Sequence, residues 1–106
     1  MDIKESFGLA LQRARKSKEI TQEDFSNISS RTYVSTLERG LCSPTVEKVD
    51  LLAGALGMHP LTLLSMAYLI KSGVSDVSIL MNQVNDEIHE LILDKKTKYS
   101  KKRAFV

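Results

Sequence analysis

Cysteine, proline and long apolar runs are all scarce in this chain, and each scarcity narrows what it can be. A single thiol, Cys42, has no partner for an internal disulfide, which fits a reducing compartment. It lies in the loop Leu41-Cys42-Ser43-Pro44 with no histidine or cation run beside it, so it reads as a bystander rather than a redox sensor. No apolar run approaches the ~20 residues of a membrane span, and the acidic start MDIKE is unlike a signal peptide. Only two prolines and five glycines occur in 106 residues of which 42% are hydrophobic, enough for a real core and unlike a disordered chain. Catalytic signatures are missing as well. His59 and His89 stand thirty residues apart with no Cys/His cluster, so no metal site is expected. There is no G-x-S-x-G, phosphate loop or dinucleotide fingerprint, and Ser35 has no His and Asp at a fixed spacing. Glu87 and Glu90 read as a solvated helix face. The chain is expected to be no enzyme and to need no cofactor.

Net charge is small, at +2, but it is unevenly placed. Residues 1–70 carry eight acidic and eight basic side chains, residues 71–94 are net −4, and residues 95–106 are net +6. The chain is therefore electrically segmented.

What is present is organised around ITQEDFSNISSRTYVSTLERG, residues 20–40. Thr21 with Glu23 and Asp24 reads as a helix start, acids in its positive first turn. That second helix is expected over roughly 22–27, anchored by Phe25. Ser29-Ser30-Arg31-Thr32 is a poor helix interior but a good turn with a new N-cap, Ser30. In the third helix Val34 and Leu37 share a face, while Arg31, Thr32, Ser35, Thr36 and Arg39 point elsewhere. Gly40 supplies the left-handed stop. Two short helices about a polar turn, the second presenting hydrogen-bonding and cationic groups, form a helix-turn-helix.

These residues resemble the Cro and phage-repressor type of helix-turn-helix regulators, the XRE family. The likeness spans about Phe7 to Leu64 and rests on FG-x2-L-x3-R in a first helix, ITQED-F, RTYVSTLERG, SPTVEK and LAGALGMHPLTLL. It implies an all-α, lambda-repressor-like five-helix DNA-binding domain whose third helix enters the major groove of double-stranded DNA. It also implies Gln22 at a phosphate and a buried ionic tie between Arg15 and Glu38. Two features depart from the family. Glu19 stands where a Gly usually follows the first helix, and the turn between Gln22 and Tyr33 is shorter by two residues and lacks its Gly.

Around that motif, Ile3, Phe7, Leu11 and Ala14 mark a first helix over 3–18, and Arg13 and Lys16 near its end are candidates for phosphate contact. Tyr33 is a candidate for phosphate contact or for a half-buried support. Thr45 caps a fourth helix with Val46, Val49, Leu52, Ala53 and Leu56 on one stripe. Lys48 in its first turn is unfavourable for the helix dipole, which favours a phosphate partner. Pro60 opens a fifth helix that is apolar nearly all round.

After Gly73 a sixth helix is expected to about residue 94. Its Val77, Leu80, Met81, Val84, Ile88 and Leu91 make a stripe suited to packing on another helix. The chain is thus divided into a DNA-binding domain, 1–72, a C-terminal dimerisation helix, 73–94, and a basic tail, 95–106. Two functions compete. One is a homodimeric, sequence-specific regulator, a repressor or autoregulator, in the cytoplasm on the nucleoid. The other is an antitoxin or adaptor that holds a protein partner through the last helix and tail. The base contacts are expected from Arg31, Thr32, Ser35, Thr36 and Arg39, the phosphate contacts from Gln22, Arg13, Lys16, Tyr33 and Lys48.

Overall fold

Asp2 starts the first helix by closing a capping box. Its carboxylate accepts the Glu5 N–H at 2.8 Å, and the Glu5 carboxylate accepts the Asp2 N–H at 3.3 Å. Helix α1 then runs Ile3–Ser17 in the computed structural model, which describes residues 1–93. The tail expected at 95–106 lies outside the described residues.

The end of α1 is a Schellman motif. The Ile20 N–H donates to the Arg15 carbonyl at 3.0 Å and the Glu19 N–H to the Lys16 carbonyl at 3.1 Å. This closure needs a left-handed residue, and Glu19 supplies it with φ +57°. Gly40 does the same job at the end of a later helix with φ +73°. An L side chain in that region costs about 1–2 kcal/mol. Glu19→Gly relieves the strain, partly offset by the ~0.5–1 kcal/mol of extra freedom a glycine has when unfolded. We expect a net gain of roughly 0.5–1 kcal/mol, read by thermal melting. A lower melting temperature would mean that the Glu19 side chain contributes more than its backbone costs.

The second element differs from its expectation. Gln22–Phe25 is a single 3-10 turn rather than an α-helix reaching residue 27. Thr21 and Asp24 do form the reciprocal cap, at 2.8 and 3.2 Å. Beyond it the N–H groups of Ser26 and Ile28 reach back only three residues, to Glu23 and Phe25, and one α-type bond follows, from the Ser29 N–H to the Phe25 carbonyl. The sequence S-N-I-S-S offers side-chain groups that compete with helical bonds, so the spiral tightens and stops. Phe25 remains the anchor, at 1% exposure.

Ser30 caps α2, Arg31–Glu38, by accepting the Tyr33 N–H at 3.1 Å. Thr45 caps α3, Val46–Ala55, by accepting the Lys48 N–H at 3.1 Å. Pro60 is the first residue of α4, Pro60–Ser72, and the His59 Nδ1 accepts the Leu61 N–H at 3.0 Å. Helix α1 packs chiefly on α4 and also on α2, and α3 packs on α4.

The core gathers Phe7, Ala10 and Leu11 of α1, Phe25 of the 3-10 turn, Val34 and Leu37 of α2, Val49, Leu52, Ala53 and Leu56 from α3 and its cap, and Leu63 and Ala67 of α4. Helix α4 buries only part of its apolar girth, since Leu61, Met66 and Tyr68 are exposed. No single helix among the described residues is long and apolar enough to cross a membrane.

The chain divides into two compact units, Met1–Ser75 and a second that begins at Asp76. The second contains α5, Val77–Leu93, preceded by Asp76, whose carboxylate accepts the Ser78 N–H at 3.0 Å and its hydroxyl at 2.6 Å. Those bonds hold the Asp76 pKa below the usual carboxylate range. Along α5, Val77, Met81, Val84, Ile88 and Leu91 are all exposed. Their spacing of four and three alternately puts them on one seam.

Candidate nucleic-acid interface

Four outward residues of α2 and its C-cap residue, Arg39, form one continuous surface. At about 100° per residue, Arg31, Ser35, Arg39, Thr32 and Thr36 fill an arc of about 140°. Val34 and Leu37, on the other side, are buried, and so is Glu38, which borders the arc beside Arg31. Of the outward set, Arg31, Thr32 and Arg39 are exposed, and Ser35 and Thr36 are partly so. The chemistry offered is two guanidinium forks and three hydroxyls, suited to guanine and to mixed base edges.

Arg31 carries an ion pair with Glu23 of the 3-10 turn, Nη1 to Oε1 at 3.2 Å. Both side chains are about two-thirds exposed, at 67% and 70%. Such a pair contributes at most about 1 kcal/mol in water, so Arg31 can exchange Glu23 for a base at little cost. The Thr36 hydroxyl donates to the Thr32 carbonyl at 2.8 Å, leaving its oxygen as an acceptor and its methyl free.

Behind this surface, Glu38 ties three elements together. Arg15 donates through Nε to Glu38 Oε2 at 2.6 Å and through Nη2 to Oε1 at 2.9 Å, a bidentate pair. Arg15 Nη1 also donates to the Ile20 carbonyl at 3.0 Å. The side chains are 12% and 3% exposed, so the pair is desolvated. The bond to Glu38 outweighs the opposing effect of burial and raises the Arg15 pKa further, so this side chain stays a cation.

Gln22, expected at a phosphate, directs its amide inward, with Nε2 donating to Glu38 Oε1 at 3.0 Å. One amide N–H is then left for any outside acceptor. Lys48, also expected at a phosphate, donates through Nζ to the Ile28 carbonyl at 2.8 Å and lies 5.3 Å from the centre of the Tyr33 ring. The Tyr33 ring is half-buried, and its pKa is pushed up first by that burial and then by nearby Cys42. Arg13 and Lys16 are exposed on the last turns of α1.

One contributor stands in the FG-x2-L motif with no role assigned to it by the sequence. Gly8, in the middle of α1, lies against the last backbone carbonyls of α2, those of Leu37 and Glu38. Its spacing of three from Leu11 was the available signal, because it puts a residue with no side chain on the buried face.

Elsewhere, an apolar groove of about 610 Å³ runs between the start of α1, α3 and α4, lined by residues such as Phe7, Pro44, Val46 and Leu61. No group of three His, Cys, Asp or Glu able to hold a metal occurs among the described residues.

A Helix-turn-helix family model matches residues 11–63, half of the chain. The chain is a helix-turn-helix regulator of the XRE type. The matched span of this helix-turn-helix protein runs from Leu11 of α1 to Leu63 of α4 and contains every element of the surface just described. It is similar to the uncharacterized HTH-type transcriptional regulator y4dJ of Sinorhizobium fredii, at 39% identity over 67 residues. That alignment covers 61% of this chain and 87% of the relative. Among solved structures, the clp gene regulator ClgR from Corynebacterium glutamicum matches with a TM-score of 0.61. The match covers 87% of this chain and 92% of that one, and at 23% identity it speaks to the fold alone.

Proposed function

We propose that this helix-turn-helix regulator is a homodimer that reads an inverted-repeat operator in the major groove and represses transcription there, its own promoter included. The observation that carries this reading is the arc of Arg31, Thr32, Ser35, Thr36 and Arg39, outward on a helix whose other side is locked into the core. Arg13, Lys16, the remaining N–H of Gln22 and the Tyr33 hydroxyl hold phosphates and set the register. A single unit of this kind touches few bases, and two-fold symmetry doubles the site. The exposed seam of α5 supplies the means, since two copies would remove it from water at about 25 cal/mol per Å² of apolar surface. A protein acting on DNA in this way would work on the nucleoid in the cytoplasm.

Selection of bound duplexes from a random pool tests the reading. The expected product is an inverted repeat whose half-sites lie about one helical turn, ~34–36 Å, apart. A pool that shows no enrichment rejects the reading. Arg31→Ala with Thr36→Ala should relax preference at separate base positions, by about 1–3 kcal/mol each. An unchanged preference profile in that double variant would remove α2 from the reading.

The dimer has its own test. Sedimentation at micromolar concentration should give a dimer for the intact chain and a monomer for Val84→Asp with Ile88→Asp. A monomeric wild type would instead favour a role in which α5 holds a different protein.

A further inference from the structure

Lys48 occupies a position where a cation is disfavoured, the first turn of α3, close to the positive end of the helix. It is nevertheless held in place by two defined partners. The first is the carbonyl of Ile28, in the stretch between the 3-10 turn and α2. That stretch forms no α-helix, so the Ile28 carbonyl has no helical N–H four residues on, and its partner among the described hydrogen bonds is Lys48 Nζ. The second is the face of Tyr33, the third residue of α2. One ammonium therefore joins α3, the entry to α2, and α2 itself. The bond is charge-assisted and part-buried, which makes it stronger than an ordinary amide bond in water.

We infer that Lys48 is a positioning residue for base reading, fixing the entry angle of α2 over the shortened turn through the Ile28 carbonyl and the Tyr33 ring. The inference rests on the DNA-binding reading above. Base contacts tolerate only about 0.5 Å and 10–20° of misplacement. The core holds the middle of α2 and Glu38 ties its last turn, whereas its entry, reached through a non-helical turn, depends on what holds that turn. Ser30 caps the helix locally without reaching a neighbouring element, and the Arg31–Glu23 pair, which does reach the 3-10 turn, is exposed and weak. Lys48 links the helix to α3, which also accounts for a cation at a helix start.

The experiment uses the full chain with its selected operator and compares Lys48→Met, which keeps the apolar stem, with Lys48→Arg, which keeps charge and donors. For Lys48→Met the expected result is a folded protein whose operator affinity falls about tenfold, the size of one lost base contact. Its preference should flatten at the positions read by Arg31 and Thr32. The slope of log affinity against log salt should equal that of wild type. Lys48→Arg should recover both affinity and preference. If Lys48→Met fails to fold, Lys48→Gln, which keeps a donor without the charge, serves the same comparison.

A slope shallower by about one per subunit with an unchanged preference profile would overturn the inference and make Lys48 a phosphate contact. Unchanged affinity, slope and profile would overturn it too. A wild type that enriches no duplex at all overturns the DNA reading, and this inference with it. Failure confined to the variants strikes the inference alone.

Discussion

Glu38→Ala is expected to cost the first unit about 3–5 kcal/mol, a large part of the ~5–15 kcal/mol that holds a typical domain together. The reason is what the substitution leaves behind. Arg15 has three donors committed to Glu38 and to the Ile20 carbonyl, and it is only 12% exposed. Without Glu38 it is a cation removed from water with no counter-charge, and the Gln22 amide loses its acceptor as well. Arg15→Ala should do comparable damage by stranding the Glu38 carboxylate, which is 3% exposed. The control is the charge-free pair Arg15→Met with Glu38→Leu. Replacing both ions by apolar groups of similar size removes the stranded charge, so most of the stability should return. The return should be incomplete, because the Ile20 carbonyl and the Gln22 amide still lack partners. Equal melting temperatures for wild type and both single variants would show that the pair contributes little.

The second large effect is expected at Gly8, and there its sign is the test. In a free helix, glycine to alanine gains about 1 kcal/mol. At Gly8 the added Cβ would lie 2.7 Å from the Glu38 carbonyl oxygen and closer still to that of Leu37. Both obstacles are backbone atoms at the end of α2, with no flexible side chain to swing aside. Relief requires α1 and α2 to move apart, and overpacking of that kind costs typically 1–3 kcal/mol. The overpacking cost less the propensity gain leaves a net loss of up to about 2 kcal/mol expected for Gly8→Ala. It should also weaken the proposed operator binding, because the displaced element is α2, which carries the arc. A variant that melts higher than wild type would mean that the two helices are not in such close contact in solution.

Much of the fold was legible because its helix boundaries are written locally. Ser30, Thr45 and Pro60 each announce a helix start through chemistry contained within a few residues, and Gly40 announces a stop. The second element was misjudged for a related reason. The acids after Thr21 do promise a helix start, but the serines and asparagine that follow truncate it to one 3-10 turn. The outward set on α2 followed from the spacing of Val34 and Leu37. What could not be read from spacing was which polar groups turn inward. Arg15 and Glu38 are twenty-three residues apart, and only family resemblance suggested that they meet. Nothing in the local sequence says that Gln22 reaches Glu38, or that Lys48 finds a carbonyl twenty residues upstream. Such pairings depend on how helices cross, and a one-dimensional pattern does not carry that information.

The brevity of α2 has a consequence for how the protein responds to heat and to mutation. Eight residues are fewer than the ~12–15 at which an isolated helix becomes even marginally stable in water. Cut out as a peptide, Ser30–Leu41 would be a coil with the same side chains and no arc to present. The arc is therefore not a part mounted on a scaffold but a state of the whole unit, and it exists only in the folded fraction of molecules. Any change that lowers that fraction lowers the concentration of molecules able to occupy the proposed operator, however far from the groove it lies. A core substitution such as Leu52→Ala would then act in a cell as a loss of regulation while every residue of the α2 arc remained intact.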